Sequence, residues 1–181
     1  GLLTTFQDDG RVAANMGVTG SGAADRTSSH LANALVGNPA NTPVLEITGG
    51  GVRMRAIGSV VVAVTGASAD VTITGSRQSQ DSQGGSNGTF TPNSPGGCSG
   101  RTVLNASNDA ADRTTVAMQQ PVLLRDGDVL SIAPPTSGLR DYVAVRGGFG
   151  VAITLGSAAT DTMSGIGPRP IAAKQRLAIR T

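Results

Sequence analysis

The sequence predicts a mainly β protein, in which short strands form a barrel or closed sheet and one helix lies near the N-terminus. Two features of composition point this way, since 26 glycines are spread through 181 residues and aromatic side chains make up only 2% of the chain. The third is a repeated pattern of short valine- and threonine-rich runs bounded by glycine, which is typical of strands and tight turns. The length is enough for one ordinary core, so we expect a single domain over 1–181.

The helix is predicted in the segment AADRTSSHLANALV, residues 23–36. Leu31 and Leu35 are four positions apart and therefore share one face of a helix. Ser21 is placed to cap the N-terminus, and Gly37 suits the left-handed conformation that ends many helices. We therefore expect one helix between an extended lead-in and the first long strand.

Apolar and alternating runs predict the strands. An extended lead-in over 1–20 comes first. In the first half of the chain the predicted strands are 43–48, 51–56, 59–66 and 70–75. In the second half the ordered segments are 120–135, 141–148, 150–161 and 171–180. Asp126-Gly127 lies between two apolar runs, which indicates a hairpin. The run SVVVAV at 59–64 is nearly all apolar and predicts a central strand, whereas alternation in 51–56 predicts that Arg53 and Arg55 share an exposed face.

Residues 75–118 interrupt this pattern. The stretch 75–101 alone holds seven glycines and six serines, which predicts a flexible low-complexity insertion or a lid. Cys98 lies in this stretch, and no neighbouring residue would make its thiol reactive. A connection of this length is unusual in a compact domain.

Composition disfavours several classes of function. One cysteine and one histidine cannot form a disulfide framework or a cysteine- or histidine-rich metal site within the chain. The net charge is only +2 and aromatic residues are scarce, which argues against a nucleic-acid partner. No apolar run approaches the roughly 18 residues of a membrane span, and no P-loop motif is present. We expect a cytoplasmic protein.

Seven short motifs occur along the chain; each alone is a weak signal, but the seven in this order are specific to one family. They are TTFQDDGR, GVTGSGAAD, LANALVGNP, LEIT, VAVTGA, GDVLSIAPPTSGLRDYVAVRGG and LGSAATD. Through them the chain resembles, over 1–75 and 119–181, the N-terminal portion of the biotin-dependent carboxyltransferase/allophanate hydrolase subunit 2 family, which includes the C subunit of 5-oxoprolinase and the Kip antagonist protein. The insertion at 75–118 departs from the pattern of this family, which joins those strands by a shorter segment.

The resemblance implies a cyclophilin-like β-barrel, the first of two similar barrels in the family's usual polypeptide. It also implies a role as the C subunit of an ATP-dependent 5-oxoprolinase, which opens 5-oxoproline to glutamate together with the B subunit, a KipI-like partner of related fold. ATP with Mg²⁺ would then act in the assembly. Two alternatives stay open: a carboxyltransferase of the urea-amidolyase type, to which another protein would bring biotin, and a Kip-antagonist-like regulatory protein without catalysis of its own.

The segment SGLRDYVAV, residues 137–145, carries the first catalytic candidate, Arg140. Strand alternation puts Arg140 and Tyr142 on one face and the two valines on the other, so the polar pair faces outward or into a cleft if the valines face the core. There Arg140 would stabilise an anion and Tyr142 would contact the substrate. The alternative for Arg140 is an ion pair with Asp141 at the edge of a strand, which contributes little when exposed.

Glu46 is the second catalytic candidate, because it is the only glutamate in the chain and lies in the apolar run VLEIT. A lone carboxylate among apolar residues is suited to act as a general base. The alternative is a structural acceptor for the N–H groups of a turn or for an arginine.

Five further residues are candidates for substrate or anion binding. Ser21, Gly22 and Asp25 form a turn into the helix N-terminus, where free N–H groups bind anions, and plain capping is the alternative. Ser157 and Asp161, in LGSAATD, match family positions near the barrel opening, for which turn roles are the alternative.

Three other polar residues are assigned simpler roles. Asp8 is predicted to shape a turn with Gly10, and Arg11 to pair with Asp8. His30 is predicted to face solvent from the middle of the helix.

Overall fold

The structure, a computed structural model, describes residues 2–12, 14–75 and 113–180. Most of the predicted insertion at 75–118, with Cys98, lies outside the described residues. The C-terminal boundary of that insertion is wrong, because residues 113–116 form a strand that pairs with the strand at 71–74.

The described residues form nine strands, one α-helix and one short 3₁₀ helix. In chain order these are β1 Leu3–Gln7, the 3₁₀ turn Ala14–Met16, α1 Arg26–Val36, β2 Val44–Thr48, β3 Val52–Arg55, β4 Val60–Ser68, β5 Val71–Thr74, β6 Arg113–Val116, β7 Pro121–Leu124, β8 Val129–Ile132 and β9 Ser137–Val145. The prediction of a mainly β fold with one N-terminal helix is therefore confirmed. No helix in the described part of the chain is both long and apolar enough to cross a membrane.

Two antiparallel sheets carry the fold, with strand orders β1-β2-β9-β4-β7 and β3-β8-β5-β6. The strand β4, with its valine run, lies inside the first sheet, as its apolar character predicts. The described strands do not close into one barrel, so the expected cyclophilin-like barrel is not confirmed.

The main core lies between the two sheets. Its buried members from the first sheet are Phe6, Leu45, Ile47, Val62, Val64, Leu124, Val143 and Val145, and those from the second sheet are Val71, Leu130 and Ile132. A smaller cluster on the other face of the first sheet joins Ala32 and Val36 of α1 to Ala63 of β4 and to Tyr142 of β9. The first sheet is thus covered on both faces, by the second sheet on one and by the helix on the other.

The helix begins differently from the prediction. Asp25, not Ser21, is the N-cap: its side chain accepts a hydrogen bond from the Ser28 N–H, and a carboxylate there also favours the positive end of the helix. The face that packs on the sheet carries Ala32 and Val36, whereas Leu31 is partly exposed. Gly37 ends the helix at φ 79°, as predicted.

The second half of the chain corrects three strand predictions. β7 and β8 flank the turn at Asp126-Gly127 but do not form a hairpin, because β7 pairs with β4 and β8 pairs with β3 and β5. Each strand buries its apolar side on the common core from an opposite sheet, so the turn carries the chain from one sheet to the other. The segments 150–161 and 171–180 form only isolated bridges, Thr154 with Ser157 and Phe149 with Ile179.

Candidate functional site

A cavity of about 380 Å³ lies where the start of α1 meets the ends of β4 and β9. It is lined by residues 24–25, 66–68 and 137–140 together with Tyr142. The pairing of β4 with β9 shifts register between Gly66 and Ser68, at this same edge. Such a bulge re-aims side chains and ends regular pairing, which leaves room beside the helix N-terminus.

Strand register brings the predicted residues of β2 and β9 together. Glu46 lies opposite Tyr142, and Arg140 lies two residues before Tyr142 on the same face. Side chains alternate along a strand, so all three face the helix side of the sheet. Val143 and Val145 lie in the main core on the other face, which confirms the predicted alternation.

Tyr142 and Glu46 tie this sheet face to the start of the helix. The Tyr142 hydroxyl donates a hydrogen bond to Glu46 Oε2 at 2.9 Å and accepts one from the Asp25 N–H at 2.8 Å. The same Glu46 oxygen accepts a hydrogen bond from the Ala24 N–H at 2.9 Å. Glu46 therefore accepts hydrogen bonds as its structural alternative predicts, and its role as a general base stays a prediction.

Arg140 forms an ion pair with Glu46, its Nε lying 3.1 Å from Oε1. The contact is one of charge, because the direction of the N–H does not meet hydrogen-bond geometry. Glu46 is nearly buried, with 9% of its side chain exposed, whereas 40% of the Arg140 side chain is exposed. The two terminal guanidinium nitrogens make no hydrogen bond to the described residues, so this end of Arg140 is available at the cavity.

Protonation states follow from the same environment. Burial, more than any other cause, raises the pKa of Tyr142, so its hydroxyl keeps the proton that it donates to Glu46. Hydrogen bonds from Ser28, first from its hydroxyl and then from its N–H, lower the pKa of Asp25. Asp25 is therefore an ionised cap rather than a proton donor, although it lines the cavity.

Asp141 does not pair with Arg140. Its side chain is fully buried on the opposite face of β9, and neither carboxyl oxygen has a hydrogen-bond partner among the described residues. Burial raises its pKa from 3.8 to about 6. Arg140 therefore forms an ion pair, as the alternative for it predicts, but its partner is Glu46 and not Asp141.

Ser21 and Gly22 do not line the cavity. They pack against the turn at Asp8–Gly10, where Ala23 N–H donates to Asp8 O at 2.8 Å. Gly22 has φ 100°, and a Cβ there would lie 2.8 Å from Gly10 N. Close packing between two turns explains this glycine, and its assignment to anion binding stays a prediction.

Ser157 and Asp161 belong to a separate polar cluster. The buried Ser157 hydroxyl donates to Asp8 Oδ1 at 2.5 Å, and Ala158 N–H donates to Asp8 Oδ2 at 2.7 Å. Asp161 accepts hydrogen bonds from the hydroxyls of Ser164 and Thr19, which lower its pKa. Neither Ser157 nor Asp161 lines the cavity, so their role in substrate binding stays a prediction.

The simpler roles are partly confirmed. Asp8 accepts the Gly10 N–H at 2.8 Å and so shapes the predicted turn. Arg11 does not pair with Asp8; its Nη2 donates to Ala159 O at 2.5 Å in a buried position. His30 is partly exposed, as predicted, and its Nε2 lies 2.6 Å from Asp9 Oδ1.

Sequence patterns missed the other wall of the cavity. Ser68 and Ser137 lie opposite each other beyond the register shift, and Leu139 completes this wall. A bulge leaves little trace in a run such as VAVTGAS, apart from its glycine.

Comparison with known proteins places these motifs in a family. The chain is 31% identical over 168 residues to the C subunit of 5-oxoprolinase from Escherichia coli, covering 92% of this chain and 42% of that protein. It is also 31% identical over 169 residues to urea amidolyase of Saccharomyces cerevisiae, covering 92% of this chain but 7% of the relative. The chain thus spans less than half the length of these curated relatives.

Solved structures of related proteins have a similar fold. TTHA0988 superposes with a TM-score of 0.74 at 28% identity, covering the whole chain and 54% of that structure. The urea amidolyase of K. lactis gives a TM-score of 0.64 at 31% identity over 88% of this chain and 8% of that structure. Residues 16–84 and 105–181 match the family model of the carboxyltransferase domain, subdomains A and B. On this match, which covers most of its length, the chain belongs to the carboxyltransferase domain family.

Proposed function

We propose that this chain is part of the C subunit of a cytoplasmic, ATP-dependent 5-oxoprolinase and that Arg140 binds the carboxylate of the substrate. The similarity to the C subunit of the Escherichia coli 5-oxoprolinase supports the class of reaction. The observation that carries the site is Arg140, which is held at Nε by Glu46 while its terminal nitrogens stay available at the cavity.

The chemistry of 5-oxoproline suits this arrangement. The molecule carries one carboxylate and one lactam amide, and a guanidinium binds a carboxylate with two parallel hydrogen bonds. The fixed partners of Glu46 hold the guanidinium in place before the ligand arrives, which lowers the entropy lost on binding. Ser68 and Ser137 lie on the facing wall, where hydroxyl groups can bond the lactam oxygen or nitrogen.

ATP with Mg²⁺ enters the proposal only through the assembly with the KipI-like partner. Among the described residues no group of three or more histidine, cysteine or acidic side chains could hold a metal ion. At the cavity the N–H groups of Ala24 and Asp25 already have acceptors, and one guanidinium is already paired with Glu46. These residues do not fit a magnesium triphosphate on their own, so no step of the reaction is assigned to it.

A carboxyltransferase of the urea-amidolyase type is the second candidate, because urea amidolyase relatives match at the same 31% identity. In that case another protein would bring biotin, and Arg140 would stabilise the carboxylate being transferred. A Kip-antagonist-like regulatory protein would bind its partner without either reaction.

The cyclophilin-like architecture is part of this proposal. Two sheets that enclose one core are compatible with a flattened barrel. A crystal structure of the full-length protein tests it: strand pairing that joins the two sheets at both sides would support the barrel, and two open sheets would refute it.

The decisive experiment measures phosphate release from ATP by the full-length protein together with its KipI-like partner, with 5-oxoproline, with urea or with neither. We expect release that depends on 5-oxoproline and is lost in Arg140→Ala. The matched control is Arg169→Ala, because Arg169 is exposed and forms no described ion pair or hydrogen bond. In a parallel assay with a biotin-carrying protein added, release that depends on urea would favour the second candidate, and a stable complex without either activity would favour the regulatory one.

A further inference from the structure

The outer face of the sheet β3-β8-β5-β6 carries three arginines, which have no role in the site above. Arg53 and Arg55 lie on β3 and Arg113 lies on β6, the two edge strands of this sheet. Strand register places these arginines on one surface with four hydroxyl-bearing residues, Thr72, Thr74, Thr115 and Ser131, and with Val129. We call these eight residues the basic face.

Alternation along the strands directs this face away from the core. Val52 and Met54 of β3 pack against the core, as do Leu130 and Ile132 of β8, so the residues between them point outward. All three arginines are exposed.

The spacing of the arginines suits a broad surface rather than a single small anion. Arg53 and Arg55 are two residues apart on one strand, which is about 7 Å, and Arg55 and Arg113 are three strands apart, which is about 14 Å. One phosphate or carboxylate cannot bridge such distances, whereas acidic side chains spread over a protein surface can.

The charges of this face are not neutralised within the described residues. None of the three arginines lies within ion-pair distance of a described carboxylate. The nearby turn carries Arg125, Asp126 and Asp128, whose carboxylates accept hydrogen bonds from backbone N–H groups. Among the described residues, therefore, these three arginines have no ion pair that a partner's carboxylates would have to replace.

Two other kinds of partner fit the basic face less well. Single-stranded nucleic acid binds such sheets by stacking on aromatic side chains, but the aromatic residues in the described part of the chain, Phe6, Tyr142 and Phe149, are buried elsewhere. A second copy of this chain fits less well, because three of its exposed carboxylates, Asp9, Asp25 and Asp126, already have partners in His30, Ser28 and the Gly58 N–H.

We propose that the basic face docks an acidic protein surface. Resting on the proposed function, we assign that surface to the KipI-like partner of the same assembly. Such a contact would be steered by charge and would weaken as salt is raised.

The test compares two triple variants of the full-length protein for binding to the purified KipI-like partner. The first is Arg53→Glu, Arg55→Glu and Arg113→Glu; the control is Arg169→Glu, Lys174→Glu and Arg176→Glu, which changes the net charge equally at exposed sites elsewhere. We expect the first variant to raise the dissociation constant about tenfold or more, and the control to stay within about twofold. Circular dichroism and unfolding curves establish that both variants fold.

Each other outcome overturns the inference in a recognisable way. No complex between the natural protein and the KipI-like partner refutes the proposed function and this docking surface together. Equal binding by the first variant and the natural protein refutes the docking surface alone. If the first variant binds the partner normally but aggregates, the arginines instead protect the edge strands from pairing. If it loses binding to a single-stranded RNA probe and not to the partner, the face is a nucleic-acid surface.

Discussion

Tyr142 and Glu46 lie directly opposite each other on β9 and β2, and the Tyr142 hydroxyl donates a hydrogen bond to Glu46 Oε2 at 2.9 Å. The N–H groups of Ala24 and Asp25 bond to this pair, so it joins the centre of the sheet to the start of α1. The same glutamate positions Arg140 through its second oxygen. One buried pair therefore sets both the position of the helix and the position of the available guanidinium.

Tyr142→Phe should lower the free energy of unfolding by about 1–3 kcal/mol, because the Asp25 N–H, in a partly buried hydrogen bond, loses its acceptor and Glu46 loses a buried donor. Urea denaturation at neutral pH measures this change. Leu139→Ala is the control, since Leu139 also lines the cavity but is 54% exposed. An unfolding free energy equal to that of the natural protein would show that water replaces both hydrogen bonds.

Arg140→Lys should raise the KM for 5-oxoproline about tenfold and change kcat less, because an ammonium cannot offer the planar pair of donors that a carboxylate prefers. Lysine keeps the positive charge, and the fold should be unaffected because 40% of the Arg140 side chain is exposed. Steady-state kinetics of the full assembly give both constants. A KM that is unchanged, alongside a reduced kcat, would contradict substrate binding by this guanidinium and assign it to a later step.

The faces of β9 could be predicted from sequence because successive side chains of a strand point to opposite faces of the sheet. Val143 and Val145 identify the core side, and Arg140 and Tyr142 then follow on the other side. Glu46 stands out because it is the only glutamate, but its pairing with Arg140 depends on the register of β2 with β9, which no local pattern encodes.

Other features escaped prediction for equally physical reasons. Ser21 and Asp25 are both good N-cap residues, and tertiary packing of the turn at 20–23 against Asp8 decides between them. The turn at Asp126-Gly127 has a hairpin sequence, yet the two strands that it joins bury their apolar sides from opposite sheets. Local chemistry predicted the turn, and only the global core determines which strands pair.

Gly66→Ala should destabilise the protein by about 2–4 kcal/mol, because two costs add at this position. Gly66 has φ 102°, and a Cβ there would clash with Arg140 O, a backbone atom that cannot move alone. Gly58→Ala is a matched control, since its φ is 77° and a Cβ would meet nothing within 4 Å. Thermal unfolding of both variants separates steric clash from backbone strain, and equal losses would contradict a clash at Gly66.

Asp141 should make the stability of the protein depend on pH. Its carboxyl group is fully buried without a hydrogen-bond partner among the described residues, and burial raises its pKa from 3.8 to about 6. Between these values the folded protein keeps a proton that the unfolded chain releases, so the free energy of unfolding falls as pH rises. Below pH 3.8 the group is protonated in both states and imposes no penalty, and above about pH 6 the penalty is complete.

Asp141→Asn removes this titration, and the comparison with the natural protein cancels all other groups. The free energy of unfolding of the variant minus that of the natural protein should rise by about 2–2.5 kcal/mol between about pH 4 and about pH 7. Asp70→Asn is the control, because Asp70 is exposed and its replacement changes the charge equally. Urea denaturation across this range measures both curves. A flat difference for Asp141→Asn would mean that the carboxyl group is hydrated or paired in solution, since only an isolated buried carboxyl group resists ionisation.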